Sequence, residues 1–485
     1  MTSGRLALVP AALMVAAISG SSATAESRRR AVTFSEDVAP ILYANCVSCH
    51  RPGEAAPFAL ITYQDVAKRG KLIAKVTQSR QMPPWHAAHG YGEFADERGL
   101  TDAQIATIRD WLAGGMPRGG AAKMPALPTF TEGWQLGTPD LVLEMPEPFA
   151  VPAGGPDIYR NFVLPTGLLE DKWVRAVEFR PGTRKVVHHS IFHYIRGGSA
   201  AKVVGTDGKP GFGGGVPAGF VPAFAPAGEL GLWAVGTTPR ALPDGLAVSL
   251  PKGSDLVLQL HLHPTGKPEM ERAKVGLYFA SAPPARKIRE LGVLGFFGML
   301  AGIDIPPGEK NFTVKGTLTL PADMQVLSVM AHAHYLGREF KATATLPDGS
   351  TRPMLWIQDW DFNWQDRYFY KQPVALPKGT RIDVTVSWDN SADNPRNPCN
   401  PPRRVQWGLQ STDEMGGVRF QMVTASDAAE ADMDKAAAGI RAAVAKMAQS
   451  EAAQDAIKKA AERNREMEER FRAAAGQAQP LCGGQ

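Results

Sequence analysis

From about residue 134 to residue 424 the chain is built of short apolar or alternating stretches rich in β-branched residues, each bounded by Gly or Pro. That is the pattern of strands joined by turns. Three regions break from it. Leu6 to Ile18 is an unbroken apolar run. Between residues 35 and 115 two helices are predicted. The first opens at Ser35 as a cap, with Glu36 and Asp37 in its first turn, and runs to Asn45. The second opens on the capping box Thr101-x-x-Gln104, aligns Ile105, Ile108 and Leu112, and stops at Gly114-Gly115. Finally, residues 425 to about 475 are rich in Ala, Lys, Glu and Arg with little β-branching, which predicts a long helix or helical hairpin. Its charges alternate from Lys458 to Arg472, the mark of a solvated face.

The chain has 485 residues, enough for more than one domain, and 44% hydrophobic against 21% charged residues gives it ample core. Its 49 glycines and 39 prolines fit β-sandwiches with long loops. The net charge of +5 is modest, and no basic cluster is interleaved with aromatics, so nucleic-acid binding is not expected. Arg5, the apolar run and Ala23-Thr-Ala25 together read as a signal peptide over residues 1–25. The run is short for a bilayer span, and no later stretch is longer and as apolar. The expectation is an exported, periplasmic protein without stable membrane insertion. The arginines at 28–30 follow the apolar run, so twin-arginine export is not supported.

Cys46-Val-Ser-Cys49-His50 is a C-x-x-C-H haem-attachment motif. Its two thiols would bond the haem vinyl groups and His50 would lie under the iron. A thioredoxin-like pair lacks its βαβ unit here, and a zinc site lacks its second pair of ligands. Gln81-Met-Pro-Pro-Trp85 lies between the two predicted helices and offers Met82 as the distal ligand; Met/His ligation suits electron transfer. His86, His89 and Met116 are the alternatives. Residues 31–118 resemble a small class I cytochrome c domain with covalent haem c, followed by a Pro-rich linker at 119–133.

The other seven histidines fall in three clusters. Val329-Met-Ala-His-Ala-His-Tyr-Leu-Gly337 reads as a strand or strand end, so His332 and His334 face the same side. Two imidazoles with a thioether, available from Met415 in Thr412-Asp-Glu-Met415, suit copper. His188 and His189 are adjacent, and can share a metal only at a strand end or bulge. His193 stands four residues on, roughly 13 Å along an extended strand, and is expected to be structural. In Leu256-Val-Leu-Gln-Leu-His261-Leu-His263 either histidine can complete a three-imidazole site.

Residues 140–425 resemble the copper type II, ascorbate-dependent monooxygenases, the family of peptidylglycine α-hydroxylating and dopamine β-monooxygenases. The matching stretches are His188-His189, LVLQLH ending at His261, His332-Ala-His334-Tyr-Leu-Gly337 and Thr412-Asp-Glu-Met415, in the family's order and at similar spacing. The segment from Trp233 to Pro251 adds to the match. The resemblance implies two all-β, jelly-roll-like sandwich domains, 134–282 and 283–424, each carrying one copper across a wet cleft, with a helical extension at 425–485 outside the pattern. It implies an electron-transfer copper on His188, His189 and His261. It implies an oxygen-activating copper on His332, His334 and Met415, the catalytic set, which would hydroxylate a small organic substrate with dioxygen. Gln259 matches a residue beside the first copper. Ascorbate is the family's donor; here ascorbate or a periplasmic redox protein would feed the fused haem, and the haem the first copper.

The peptide-hydroxylating branch grips its substrate with an Arg, an Asn and a Tyr where this chain has Met330, Gly417 and Arg419, so a C-terminal glycine peptide is not expected. Two other readings stand beside the oxygenase. One is a haem/copper electron-transfer or copper-handling protein without oxygenase activity. The other is a cupin-like iron or zinc enzyme on His332 and His334, with Glu339 as the added ligand. Cys399 and Cys482 are either a disulfide, as an oxidising compartment permits, or leave Cys482 as a free or intermolecular thiol.

Overall fold

The computed structural model describes residues 1 and 30–448, apart from 53, 55, 132, 156, 214–226, 235–236, 295–297, 299–300 and 409–410. The signal-peptide reading, Cys482 and the rest of the C-terminal extension lie outside these residues. Most of the described chain is β-structure in sandwich-like sheets, with few helices. No helix among the described residues is long and apolar enough to cross a membrane.

The helices cluster at the front of the chain. A π-type turn, Phe34–Val38, runs into α1 (Ala39–Asn45), and α2 (Tyr63–Ala67), α3 (Gly70–Gln78) and α4 (Asp102–Ala113) follow. They pack around Phe34, Leu42, Val47, Val66, Ile108 and Trp111. The capping box at Thr101 and Gln104 forms as the sequence predicts, and the helix ends at Gly114. The first cap differs. Thr33, not Ser35, accepts from the amide of Glu36, because the Ser35 hydroxyl is drawn away to the carbonyl of Arg118, 2.9 Å distant.

Residues 141–279 hold β1 (Leu141–Glu144), β2 (Phe149–Val151), β3 (Ile158–Pro165), β4 (Lys172–Arg180), β5 (Val187–Arg196), β6 (Phe212–Gly213), β7 (Gly228–Ala234), β8 (Val248–Leu250), β9 (Ser254–Leu262), β10 (Glu269–Glu271) and β11 (Lys274–Phe279). Sheet β1-β11-β4-β8 faces sheet β6-β3-β9-β5-β7 across one apolar core. Strand β9 shows how period two divides the labour. Leu256, Leu258, Leu260 and Leu262 enter that core, which leaves Val257, Gln259 and His261 for the opposite face.

Residues 288–424 form the second pair of sheets. Its strands are β12 (Ile288–Val293), β13 (Asp304–Ile305), β14 (Phe312–Thr319), β15 (Met324–Ala333), β16 (Gly337–Thr345), β17 (Thr351–Ile357), β18 (Arg367–Leu376), β19 (Arg381–Trp388), β20 (Val405–Gln406) and β21 (Gly416–Thr424). Sheet β12-β21-β15-β18 covers sheet β14-β19-β16-β17, with Val329, Ala331, Ala333, Phe340, Val386 and Phe420 in the core between them. Ala87 and Phe94, from the stretch between α3 and α4, belong to this second core too. The helical region therefore docks on the second pair of sheets through its own loop. The last helix, α5 (Asp427–Ala448), starts on the same sheets. Ala429 and Met433 pack into the core, and Arg289 holds Glu430 at 2.5 Å and Asp434 at 2.6 Å.

Candidate metal centres

The first cluster depends on a break in strand register. Along β5 and β9, Val187 pairs with Leu262 and His189 with His261, so His188 is the extra residue of a bulge. The bulge lets two adjacent histidines reach one place, as the sequence requires. The Nδ1 of His189 lies 3.2 Å from that of His188 and 3.3 Å from that of His261. Among the described residues this is the one group of three His, Cys, Asp or Glu side chains close enough to share an ion.

The far nitrogens of two of these rings are held. His188 Nε2 lies 3.1 Å from the carbonyl of Phe362, and His261 Nε2 lies 3.0 Å from Asp157. A partner on one ring nitrogen fixes the tautomer and frees the other for a metal. Tyr159 stacks on His261 with centroids 4.3 Å apart. Burial pushes Asp157 up, but bonds from His261, His263 and Ser411 outweigh it and hold the carboxyl well below the usual carboxylate range. Burial, with His261 nearby, lowers His188 to about 3, and burial takes His189 well down too. Neutral imidazole is the form that binds metal.

The structure separates the remaining candidates of this region. His261 joins the cluster, whereas the half-exposed His263 turns aside to Asp157 at 2.7 Å. His193 stays on its strand opposite Val257, buried, with no partner for its Nε2. Gln259 donates to Asn161 at 3.0 Å.

The second cluster is at the end of β15. His332 and His334 stand with ring centroids 5.3 Å apart. Their outer nitrogens are engaged: His332 Nδ1 donates to Gln365 Oε1 at 2.6 Å, and His334 Nδ1 donates to the carbonyl of Asp413 at 3.1 Å. With Nδ1 taken in this way, Nε2 is the atom through which either ring could hold a metal. Burial lowers His332 to about 4 and His334 well below its ordinary value. In the β15–β21 ladder His332 is opposite Gly417 and Ala333 opposite Gly416. The ladder ends there; His334 and Met415 are the residues just beyond it on each chain segment, and the bond from His334 Nδ1 to the Asp413 carbonyl keeps the two segments together. Glu414 secures the arrangement. It is fully buried, and its carboxylate accepts from the amides of His334, Leu336 and Met415 and from Trp388 Nε1, at 2.6 to 3.1 Å. Glu339 is taken by Trp356 Nε1 at 2.6 Å.

Phe362 stands between the clusters. Its ring stacks on His188 at 4.5 Å and meets His334 edge-on at 5.8 Å. It lies on the loop after β17, which so reaches a histidine of each pair of sheets. Sequence reading missed Phe362, Gln365, Asp157 and Glu414. Glu414 lies inside the Thr412–Met415 stretch but carries no role in that pattern, the other three sit in no spaced motif, and each acts across more than thirty residues of chain or between sandwiches.

Around the C-x-x-C-H motif, His50 Nδ1 lies 3.0 Å from the carbonyl of Phe58, leaving Nε2 free. Cys46 and Cys49 are free thiols. Burial, with Cys49 beside it, pushes the Cys46 thiol up to about 12. Met116 packs against α3 at Gly70. His89 is paired with Glu97, while His86 faces the carboxylates of Asp361 and Asp359. Buried Cys399 is disulfide-bonded.

No protein-family model matches the chain, and no curated protein matches it. Among solved structures, one of the infectious bursal disease virus Gx strain aligns at 11% identity over 64% of this chain and 77% of that one, with a TM-score of 0.19. The major capsid protein P2 of bacteriophage PM2 aligns at 8% identity over 56% and 98%, with a TM-score of 0.21. PNGF-II aligns at 10% identity over 59% and 60%, with a TM-score of 0.19. Likenesses this slight carry no argument about the fold or the site.

Proposed function

We propose that the protein is an exported, periplasmic copper-dependent monooxygenase that hydroxylates a small organic substrate, with electrons arriving through a fused c-type haem. In this reading residues 31–118 are a class I cytochrome c domain, and the two pairs of sheets are jelly-roll-like copper domains. The observation that carries it is the pairing of two unlike donor sets across one ring. Three converging Nδ1 atoms stand on one side, and on the other two histidines at the end of β15, with Met415 just ahead of the partner strand β21.

Each set fits copper. His188, His189 and His261 would hold the first ion in an all-imidazole site that serves both oxidation states. His332, His334 and Met415 would hold the second, where the soft thioether favours the cuprous state. Bound copper would supply one-electron redox chemistry and dioxygen activation at the second site. Haem c would be held by Cys46, Cys49, His50 and Met82.

The protein's own groups would do the rest. Asp157 fixes the ring of His261; Gln365 and the Asp413 carbonyl fix His332 and His334. Burial keeps the imidazoles neutral, and Glu414 holds the Met415 backbone against the histidine strand. Dioxygen, a small-molecule substrate and an external donor (ascorbate or a periplasmic redox protein) are the partners.

The test is copper per haem in the purified protein, with oxygen uptake after anaerobic reduction and mixing with air. Two coppers per haem, and uptake abolished by Met415→Ala, are expected. Iron or zinc in place of copper would refute the reading. Full copper with no uptake across a panel of small organic substrates would leave the haem/copper relay protein in its place.

A further inference from the structure

We propose that the loop between β17 and β18, residues 358–366, is the electron bridge of the molecule, joining the haem-binding region to both imidazole clusters with Phe362 as the bridging side chain. The inference rests on the haem and copper assignments above.

One short loop touches all three places. Toward the first cluster, the Phe362 ring stacks on His188 and its carbonyl accepts from His188 Nε2 at 3.1 Å. Toward the second, the same ring meets His334, and Gln365 accepts from His332 Nδ1 while donating to the Phe362 carbonyl at 3.0 Å. Trp360 adds a bond from its indole N–H to the carbonyl of His334, at 3.1 Å. The carbonyl of Phe362 is thus a node shared by a ligand of one cluster and the residue that orients a ligand of the other.

The haem side reaches this loop through the chain that follows Met82. Trp85 is three residues on, and its ring meets Tyr368 edge-on at 5.1 Å. His86 is largely buried with no partner for its Nε2, among the carboxylates of Asp361, Asp359 and Asp366. Arg98 is paired with Asp366. The Ala88 amide donates to the Trp356 carbonyl and the Ala95 amide to that of Phe369, both at 2.7 Å, so the segment is bonded to the strands on either side of the loop. Tunnelling falls off more steeply across gaps than through bonds and packed rings, and this route enters the loop through the Trp85–Tyr368 contact and the Arg98–Asp366 pair and then follows the chain to Phe362.

A competing route exists. Arg184 lies 3.3 Å from Glu54, linking the haem-binding region to the chain four residues before His188. Glu54 is also paired with Arg51, the neighbour of His50, at 2.9 Å, but beyond Arg184 this route reaches His188 through the backbone of residues 185–187, whereas the loop sets a ring and a carbonyl directly on the imidazole.

Each passage moves one electron from ferrous haem to a cupric centre, leaving ferric haem and a cuprous centre, with no proton or group transferred. The external donor restores the haem.

The experiment uses the holoprotein, haem attached and copper loaded in the cupric state, under anaerobic conditions and without substrate. The haem is reduced by a flash-generated one-electron donor. Its reoxidation is followed by absorbance, and the loss of cupric signal by electron paramagnetic resonance. Phe362→Leu keeps the backbone carbonyl and removes the ring; reoxidation is expected to slow by an order of magnitude or more. Phe362→Tyr should restore the rate, and Arg184→Ala should leave it unchanged. Trp85→Leu, which touches neither cluster, should slow it as well.

A wild-type rate in Phe362→Leu at full copper content overturns the proposal, as does a slow Arg184→Ala. If Phe362→Leu loses copper, Trp85→Leu decides: slowed transfer supports the bridge and unchanged transfer overturns it. A wild-type protein that holds no copper or no haem refutes the functional reading itself, which separates the two failures.

Discussion

Replacing Glu414 by glutamine tests how the second cluster is held together. One carboxylate oxygen accepts from the amides of His334 and Met415 and from Trp388 Nε1, at 3.0, 3.1 and 3.0 Å, and the other accepts from the amide of Leu336 at 2.6 Å. Burial pushes this carboxyl up to about 8, against the pull of those donors, so the comparison is made at pH 9, where it is ionised. All four contacts bring a hydrogen and none an acceptor, so the ionised form is the one the cradle fits. Glutamine has one accepting oxygen. In its better orientation the oxygen keeps three donors, and the new NH2 meets the Leu336 amide donor to donor. A buried donor left unsatisfied costs about 1–3 kcal/mol, and the three surviving bonds lose their charge assistance, which makes such bonds about twice as strong as neutral ones. The sum is a loss of about 2–5 kcal/mol, concentrated on the strand ends that carry His334 and Met415. Hydrogen exchange at the amides of residues 334, 336 and 415 reads the local loss, and calorimetry reads the unfolding of the second pair of sheets. Copper affinity should fall at the second cluster and hold at the first. Unchanged amide protection, with stability within about 0.5 kcal/mol of the parent, would refute the reasoning.

Three further outcomes follow from the same geometry. Asp157→Asn should weaken copper binding at the first cluster about 10- to 100-fold, the usual cost of losing a group that orients a ligand, read by competitive chelation; an unchanged affinity would remove Asp157 from the site. Burial, with Arg419 nearby, lowers His193 from 6.5 to about 4. The unfolded chain therefore binds the extra proton as pH falls between those values, and stability falls with it. At the acid end His193 alone is worth about 3 kcal/mol, and His193→Phe should flatten the stability–pH curve between 6.5 and 4; an acid branch as steep as the parent's would contradict this. Gly416→Ala would set a Cβ 2.1 Å from the Trp388 ring. Overpacking there should cost about 1–3 kcal/mol, measured by the shift in the denaturant midpoint, and a neutral variant would mean that Trp388 is free to move.

Short-range rules made a good part of this protein legible. Period two along a strand places His332 and His334 on one face, and the capping box at Thr101 and Gln104 starts a helix, because both depend on residues within a turn or two of each other. The need for a bulge at His188-His189 was legible for the same reason, since neighbouring residues on a regular strand face apart. The choice of Thr33 over Ser35 as a cap was not, because Arg118, far along the chain, competes for the serine hydroxyl. Nor was the choice of His261 over His263. Both alternate correctly, and what separates them is Asp157, a carboxylate just ahead of the neighbouring strand β3 and about a hundred residues away in the chain, that takes the Nε2 of one ring and the Nδ1 of the other. Which nitrogen of each imidazole is left for a metal, and which ring stands between the two clusters, depend on Phe362, Gln365, Asp413 and Glu414. These residues come together only when two pairs of sheets and an intervening loop have packed. Sequence alone determined the donor types and their local spacing; the tertiary structure decided their tautomers, their partners and the path between them, because those are properties of contacts between distant parts of the chain.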